Sequence, residues 1–201
     1  MSASNINYYS DNAQAFSDQY EALKFEDVHC DWLSHLPAKG LALDVGAGSG
    51  RDAAYLAEKG LNVVAVEPAE KLRNLAHLKY RQLNIDWLDD TLPELQRVFA
   101  LQFKFDLILL SAVWMHILPA QRERAFLNLC SLLAPNGKLI ISLRYGACTD
   151  ERTMYKVSST EIEQYTKKSG FSFYLTSPEI TEDKMGRNDV AWQTVVIKSN
   201  D

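Results

Sequence analysis

No segment of this 201-residue chain is apolar enough for long enough to cross a bilayer. The longest apolar runs, such as residues 107–113, fall far short of the ~20 residues a membrane helix needs. The opening stretch, MSASNINYYSDNAQAF, is polar and lacks the basic-then-apolar order of a secretory leader. Cysteine is scarce: Cys30, Cys130 and Cys148 are odd in number, widely spaced and free of any Cys-x-x-Cys, which argues against a disulfide framework or a zinc site. His29, His35, His77 and His116 form no His-Glu-x-x-His pair. Basic residues are outnumbered 21 to 26, and a net charge of −5 suits poorly a protein that grips a nucleic-acid backbone. With 9 glycines and 6 prolines, collagen-like and wholly disordered chains are also excluded.

What is present is apolar: 47% of the residues, enough for one sizeable core. The expectation is a reduced, cytoplasmic, single-domain protein whose partner is a small molecule or another protein. Residues 1–36 read as an N-terminal helical cap, with helical spacing over 9–35. Residues 41–198 read as an α/β core. Within it, apolar or β-branched runs at 41–45, 62–66, 82–87, 105–110 and 138–143 alternate with helical patterns at 53–59, 69–78, 92–99 and 119–133. Pro135-Asn136-Gly137 marks a turn, and Ser158 to Glu161 has the spacing of a capping box that opens a helix ending at Gly170. Runs at 171–176 and 190–198, with nothing helical between, predict an antiparallel terminal hairpin. The pattern describes a three-layer α/β fold with helices on both faces of a mostly parallel sheet.

The sharpest signal is LALDVGAGSGRDAAYLA, where Gly46, Gly48 and Gly50 lie between a strand and a helix. Glycines there allow a tight turn and close ligand approach, and the helix start offers N–H groups. Asp44 precedes the first glycine by two residues. Glu67 ends the next strand, where an acid can accept both hydroxyls of a ribose. Arg51 stands where a dinucleotide fingerprint wants Gly or Ala, so an acid and a base flank the loop, a better match to a zwitterionic amino acid than to a pyrophosphate.

These features resemble motif I of the class I S-adenosylmethionine-dependent methyltransferases. FDLILLSAVWMHI is similar to that family's fourth strand, and LLAPNGKLIIS to the turn into its fifth. The closest resemblance is to small bacterial members reading DVGAGSGRDAA and LILLSAVWMH. The resemblance implies a Rossmann-like sheet of seven strands with the last antiparallel, and S-adenosylmethionine as cofactor. It implies cofactor contacts from Asp44, Gly46, Ala47, Gly48, Ser49, Gly50, Arg51, Glu67, Pro68 and Ser111. Leu88 and Asp89 would meet the adenine, with Asp86 and Asp90 leaving the register open. It also implies an N-terminal helix closing over the cofactor, with Tyr9 reaching its carboxylate.

On the acceptor side, Ser111-Ala112-Val113-Trp114 replaces the Asp/Asn-Pro-Pro-aromatic motif of base-modifying relatives. Ser111 and Arg144 stand where catechol-type relatives place metal-binding carboxylates, so no metal is expected. His116, just past the fourth strand, is a candidate general base. Trp114 and Met115 are candidate pocket walls. Arg144, and with it Arg152 and Arg187 on rim loops, are candidates to grip an anionic small-molecule acceptor. Two other readings stay open here: a nicotinamide-linked oxidoreductase, and a non-catalytic module that binds a cofactor or protein.

Overall fold

The computed structural model describes residues 1–176 and 180–199. Eight strands form one sheet: β1 (Leu41–Val45), β2 (Asn62–Val66), β3 (Ile85–Leu88), β4 (Phe105–Leu110), β5 (Leu133–Tyr145), β6 (Ser172–Leu175), β7 (Thr181–Glu182) and β8 (Ala191–Lys198). Their order is β3-β2-β1-β4-β5-β8-β6, with β7 pairing onto β8 beside this path. The pairs among β1 to β5 are parallel, and β8 runs antiparallel to both β5 and β6. The two-residue β7 is the addition to the seven strands expected; it forms where residues 181–182 lie along Trp192 and Ala191.

Eight α-helices accompany the described strands: α1 (Ala3–Asp11), α2 (Ala13–Glu21), α3 (Phe25–Val28), α4 (Arg51–Glu58), α5 (Glu70–Lys79), α6 (Gln96–Ala100), α7 (Pro119–Ser131) and α8 (Ser159–Ser169). The central strand β4 shows why the fold has three layers. Its side chains alternate between faces, so Leu107 and Leu109 join one core with Ala53 and Leu56 of α4. Ile108 and Leu110 join the other with Phe126 and Leu129 of α7 and Ile162 of α8. A third, smaller core ties α1 and α2 to α5 through Tyr9, Ala13, Phe16 and Leu72.

Three details depart from the sequence reading. The helical stretch at 9–35 is divided among α1, α2, α3 and a 3-10 turn at Leu33–His35; the first break falls at Asn12, which leaves helical geometry and whose side-chain amide donates to the Tyr8 carbonyl at 2.9 Å. Pro135-Asn136-Gly137 does not end a strand: it is an irregularity inside β5, where Asn136 has φ 61° and the β4 register shifts between Phe105 and Leu107. The capping box is half built. Ser158 Oγ accepts from Thr160 N–H, but the Glu161 carboxylate turns instead to Arg122 at 2.9 Å and Tyr165 at 3.1 Å.

The acid after β3 has a defined structural job at Asp90. One oxygen accepts the N–H groups of Arg97 (2.7 Å) and Val98 (3.0 Å), and the other accepts that of Thr91 (2.9 Å). This caps the start of α6. Asp90→Ala should therefore destabilise the fold by about 1–2 kcal/mol, measured by urea unfolding. Unchanged stability would mean that the cap carries no load.

Candidate functional site

The strand order reverses between β1 and β4, and a crevice opens outside their carboxyl ends, as it does in open α/β sheets generally. The glycine loop forms one wall. Gly46 has φ +77°, and a Cβ there would come 2.5 Å from Val113 Cγ2. Gly50 has φ +83°, and a Cβ there would sit 2.8 Å from the Trp87 ring. Only glycine fits at either place.

The loop spends its own donors on the protein. Gly46 and Ala47 N–H both donate to the Val66 carbonyl (2.8 and 2.9 Å), and Gly50 N–H donates to the Ala47 carbonyl (2.9 Å). Gly48 N–H donates to Glu67 Oε2 (2.9 Å), while Ala69 N–H donates to Oε1 (2.8 Å). Glu67 is 5% exposed, and burial pushes its carboxyl up to about 6 despite these two hydrogen bonds.

Beneath the loop lies a second buried acid. Asp44 is 1% exposed, its Oδ2 has no hydrogen-bond partner, and burial together with the nearby Asp52 charge holds its carboxyl well above the usual range. Asp52 titrates the other way. Burial would raise it, but His29 (2.9 Å) and Arg51 (2.7 Å) hold it well below the usual carboxylate range. Arg51 is thereby taken up internally: Nε and Nη2 meet Asp52 Oδ1, and Nη1 donates to the Tyr20 carbonyl at 3.1 Å. The expected free base beside the loop is instead a strut between α4 and α2.

The N-terminal helices roof the crevice. Asn5 exchanges two hydrogen bonds of 2.8 Å with the backbone of Thr153, joining α1 to the segment after β5. His116 sits in the same joint, 3% exposed. Its Nε2 is 2.9 Å from the Tyr9 hydroxyl, and its Nδ1 is 3.2 Å from the Thr153 carbonyl and 3.1 Å from Asn5 Nδ2. Tyr9 already accepts from Arg152 Nη1 at 2.8 Å, so its own proton is free for Nε2, and Nδ1–H points to Thr153. Burial pushes the imidazole down to about 4. The expected general base is thus a neutral, fully engaged ring that fastens the roof.

The three rim arginines separate by partner. Arg152 is forked on Asp150 (2.9 and 2.6 Å) and lies over the Phe16 ring at 5.0 Å. Arg187 is forked on Asp183 (3.0 and 2.6 Å). Neither keeps its fork for a ligand, which corrects the expectation for both. Arg144 differs: it donates to the Gly146 and Ala147 carbonyls, both at 3.0 Å. Among the described residues no carboxylate lies within 4 Å of it. Burial and the Arg187 charge lower its proton affinity.

One cavity of about 210 Å³ gathers most of the expected site. Tyr9, Gly46, Ala47, Gly48, Ser49, Arg51, Glu67, Ser111, His116 and Arg144 line it. Asp44 lies under the loop, and Gly50 is packed below Trp87 and Tyr80. Pro68, Leu88 and Asp89 do not line the cavity: Leu88 packs against the core, and Asp89 is drawn to Arg73 at 3.5 Å. Of the two candidate walls, Met115 lines the cavity, whereas Trp114 is fully buried and donates to Glu161 at 3.3 Å. The sequence reading missed Asn5, the His29–Asp52 pair and Asp183. The last two had a signal, an acid within a few residues of an arginine; Asn5 had none.

Residues 43–141 match the profile of the methyltransferase domain family. An uncharacterized methyltransferase of Staphylococcus carnosus is 28% identical over 174 residues, covering 80% of each chain. Among solved structures, magnesium protoporphyrin IX methyltransferase from Synechocystis PCC 6803, with bound S-adenosylhomocysteine, superposes with a TM-score of 0.69. It is 16% identical and covers 99% of this chain and 100% of its own. The 1,6-didemethyltoxoflavin-N1-methyltransferase of Burkholderia thailandensis gives 0.66 at 18% identity, over 96% of this chain and 88% of that one. At these identities the structural likeness is one of fold. No described helix is long and apolar enough to cross a membrane.

The His116 environment makes a pH prediction. The folded imidazole titrates near 4 and an unperturbed one at 6.5, so unfolding takes up a proton between those values. Stability from this group is complete above about pH 6.5 and is lost as the pH falls toward 4. Between pH 7 and 4.5 wild type should lose about 2 kcal/mol more than His116→Gln in urea unfolding. Parallel pH profiles would contradict the burial argument.

Proposed function

From its match to the methyltransferase domain family and the geometry of its crevice, we propose that this chain is a class I S-adenosylmethionine-dependent methyltransferase and that it methylates a small acceptor carrying an anionic group. When bound, the cofactor supplies an activated methyl group on a sulfonium, displaced in line by the acceptor. The chain's residues supply binding, orientation and exclusion of water.

The observation that carries this reading is the distribution of donors and acceptors around the glycine loop. A pyrophosphate needs free N–H groups, and those of Gly46, Ala47, Gly48 and Gly50 are bound internally. The buried acceptors, in contrast, have capacity left. Asp44 Oδ2 is unpartnered, and each Glu67 oxygen takes one N–H where it can accept more. Such a site favours an ammonium and a pair of hydroxyls, which fits S-adenosylmethionine and counts against a nicotinamide dinucleotide. In this reading Glu67 accepts from the ribose and Asp44 faces the amino group. Gly46, Ala47, Gly48, Ser49 and Ser111 shape the slot, and Tyr9 closes it from the N-terminal cap of a single domain spanning residues 1–201.

The cavity continues past these residues to Arg144, which supports an enzyme over a binding module. Arg144, charged and without a carboxylate, is the proposed contact for the acceptor's anion. His116 brings no free base to the cavity, so the reading favours an acceptor atom that is nucleophilic without deprotonation.

The test is calorimetry with S-adenosylhomocysteine. Wild type should bind it, and Glu67→Ala should weaken binding about ten- to hundred-fold, the loss of roughly 1.5–3 kcal/mol expected for hydrogen bonds to a charged acceptor. Unchanged affinity in a folded variant would remove Glu67 from the site. A response to NADH in place of S-adenosylhomocysteine would overturn the cofactor assignment.

A further inference from the structure

We propose that the acceptor is a planar aromatic acid, seated against Trp192 and three methionines with its anion on Arg144. This rests on the methyltransferase reading and narrows its substrate class. The cavity is lined by 34 described residues of the 201, yet it holds all four methionines of the chain. Met1 stands at the Leu72 end, among the residues packed with Tyr9 and Ala69. The other three belong to the segments around Arg144.

Met115 lies in the turn after β4, and Tyr155 N–H donates to its carbonyl at 2.8 Å, which brings Met154 alongside. Met185 lies on the arch between β7 and β8, where Gln19 Nε2 donates to its sulfur at 3.4 Å. A thioether is polarizable and adapts to the face or edge of a ring. The chain is rich in leucine, isoleucine and valine, which would serve an aliphatic body equally well. Placing methionine at three separate segments of one wall therefore selects for a π surface.

Trp192 and Arg144 are directly opposed in the β5–β8 pair, as are Ser142 and Thr194 two residues along. Alternate residues of neighbouring strands share a face, so indole, guanidinium and two hydroxyls form one patch on the cavity floor. The indole is fixed in place. Its Nε1 donates to Asp183 Oδ1 at 2.8 Å, and the same carboxylate accepts the Met185 N–H at 3.0 Å and the Arg187 fork. Asp183 thus acts as a positioning residue that sets both the indole ring and the backbone at Met185. An aromatic body beside Trp192 and a carboxylate on Arg144 satisfy this patch together.

The test uses protein saturated with S-adenosylhomocysteine and three probes: 1-naphthoate, cyclohexanecarboxylate and the neutral 1-naphthalenemethanol. By calorimetry, 1-naphthoate should bind at least about tenfold more tightly than either of the others. Trp192→Ala and Arg144→Gln should each weaken it about tenfold, and Asp183→Asn severalfold, with circular dichroism and an S-adenosylhomocysteine titration reporting that each variant is folded. The wild-type ranking of the probes stands by itself if a variant fails to fold. Equal binding of cyclohexanecarboxylate, equal binding of the neutral alcohol, or no binding of 1-naphthoate would each overturn the proposal. Failure of S-adenosylhomocysteine itself to bind would overturn the methyltransferase reading instead.

Discussion

A buried carboxylate at the end of β2 holds the site together. Glu67 accepts one N–H from the glycine loop and one from Ala69 at the end of the β2–α5 connection, so the loop and the start of α5 are fixed to one another. The roof depends on that junction in turn, since α1 and α2 pack on α5 through Ala69 and Leu72. The arrangement costs stability, because an ionised carboxylate loses its hydration on burial, and the rise of Glu67 to about 6 is the sign of that cost. Local cost of this kind is expected where an environment is shaped for a ligand rather than for the fold.

Charge compensation divides the crevice into structural and receptive groups. Arg51, Arg152 and Arg187 each have a carboxylate within 2.7 Å and brace α2, the N-terminal roof and the arch before β8. Arg144 and Asp44 are buried without a salt-bridge partner among the described residues, one at the carboxyl end of β5 and one under the glycine loop. A zwitterionic cofactor and an anionic acceptor would supply the complements that the protein withholds. His116, between the two, is neutral because it is enclosed, and its contribution is to hold Tyr9 and Thr153 in register.

Much of this was legible in the sequence because it is local. The runs at 41–45, 62–66 and 105–110 are strands with those bounds, since a strand covered on both faces is apolar at nearly every position. Gly46, Gly48, Gly50 and Glu67 announced the loop through positions that only certain residues tolerate. The roles of polar side chains were harder to read, because they depend on partners distant in sequence. His116 has the position of a base, and only its meeting with Asn5 and Tyr9, more than a hundred residues away, makes it a fastener. Asp90 was one of three interchangeable acids until the N–H groups of Arg97 and Val98 singled it out as a cap. The arginines misled for the opposite reason: their partners were adjacent, and a charged residue at a rim suggests a ligand until its neighbouring acid is counted.

The central claim is that Glu67 is a strained acceptor awaiting hydroxyl donors, and proton release tests it directly. Hydroxyl donors favour the ionised carboxylate, so binding should pull its pKa down from about 6. Titrating S-adenosylhomocysteine into the protein at pH 6, in buffers of different ionisation enthalpy, should show protons released in wild type and clearly fewer released in Glu67→Gln. Proton uptake, or equal release in both proteins, would contradict the account.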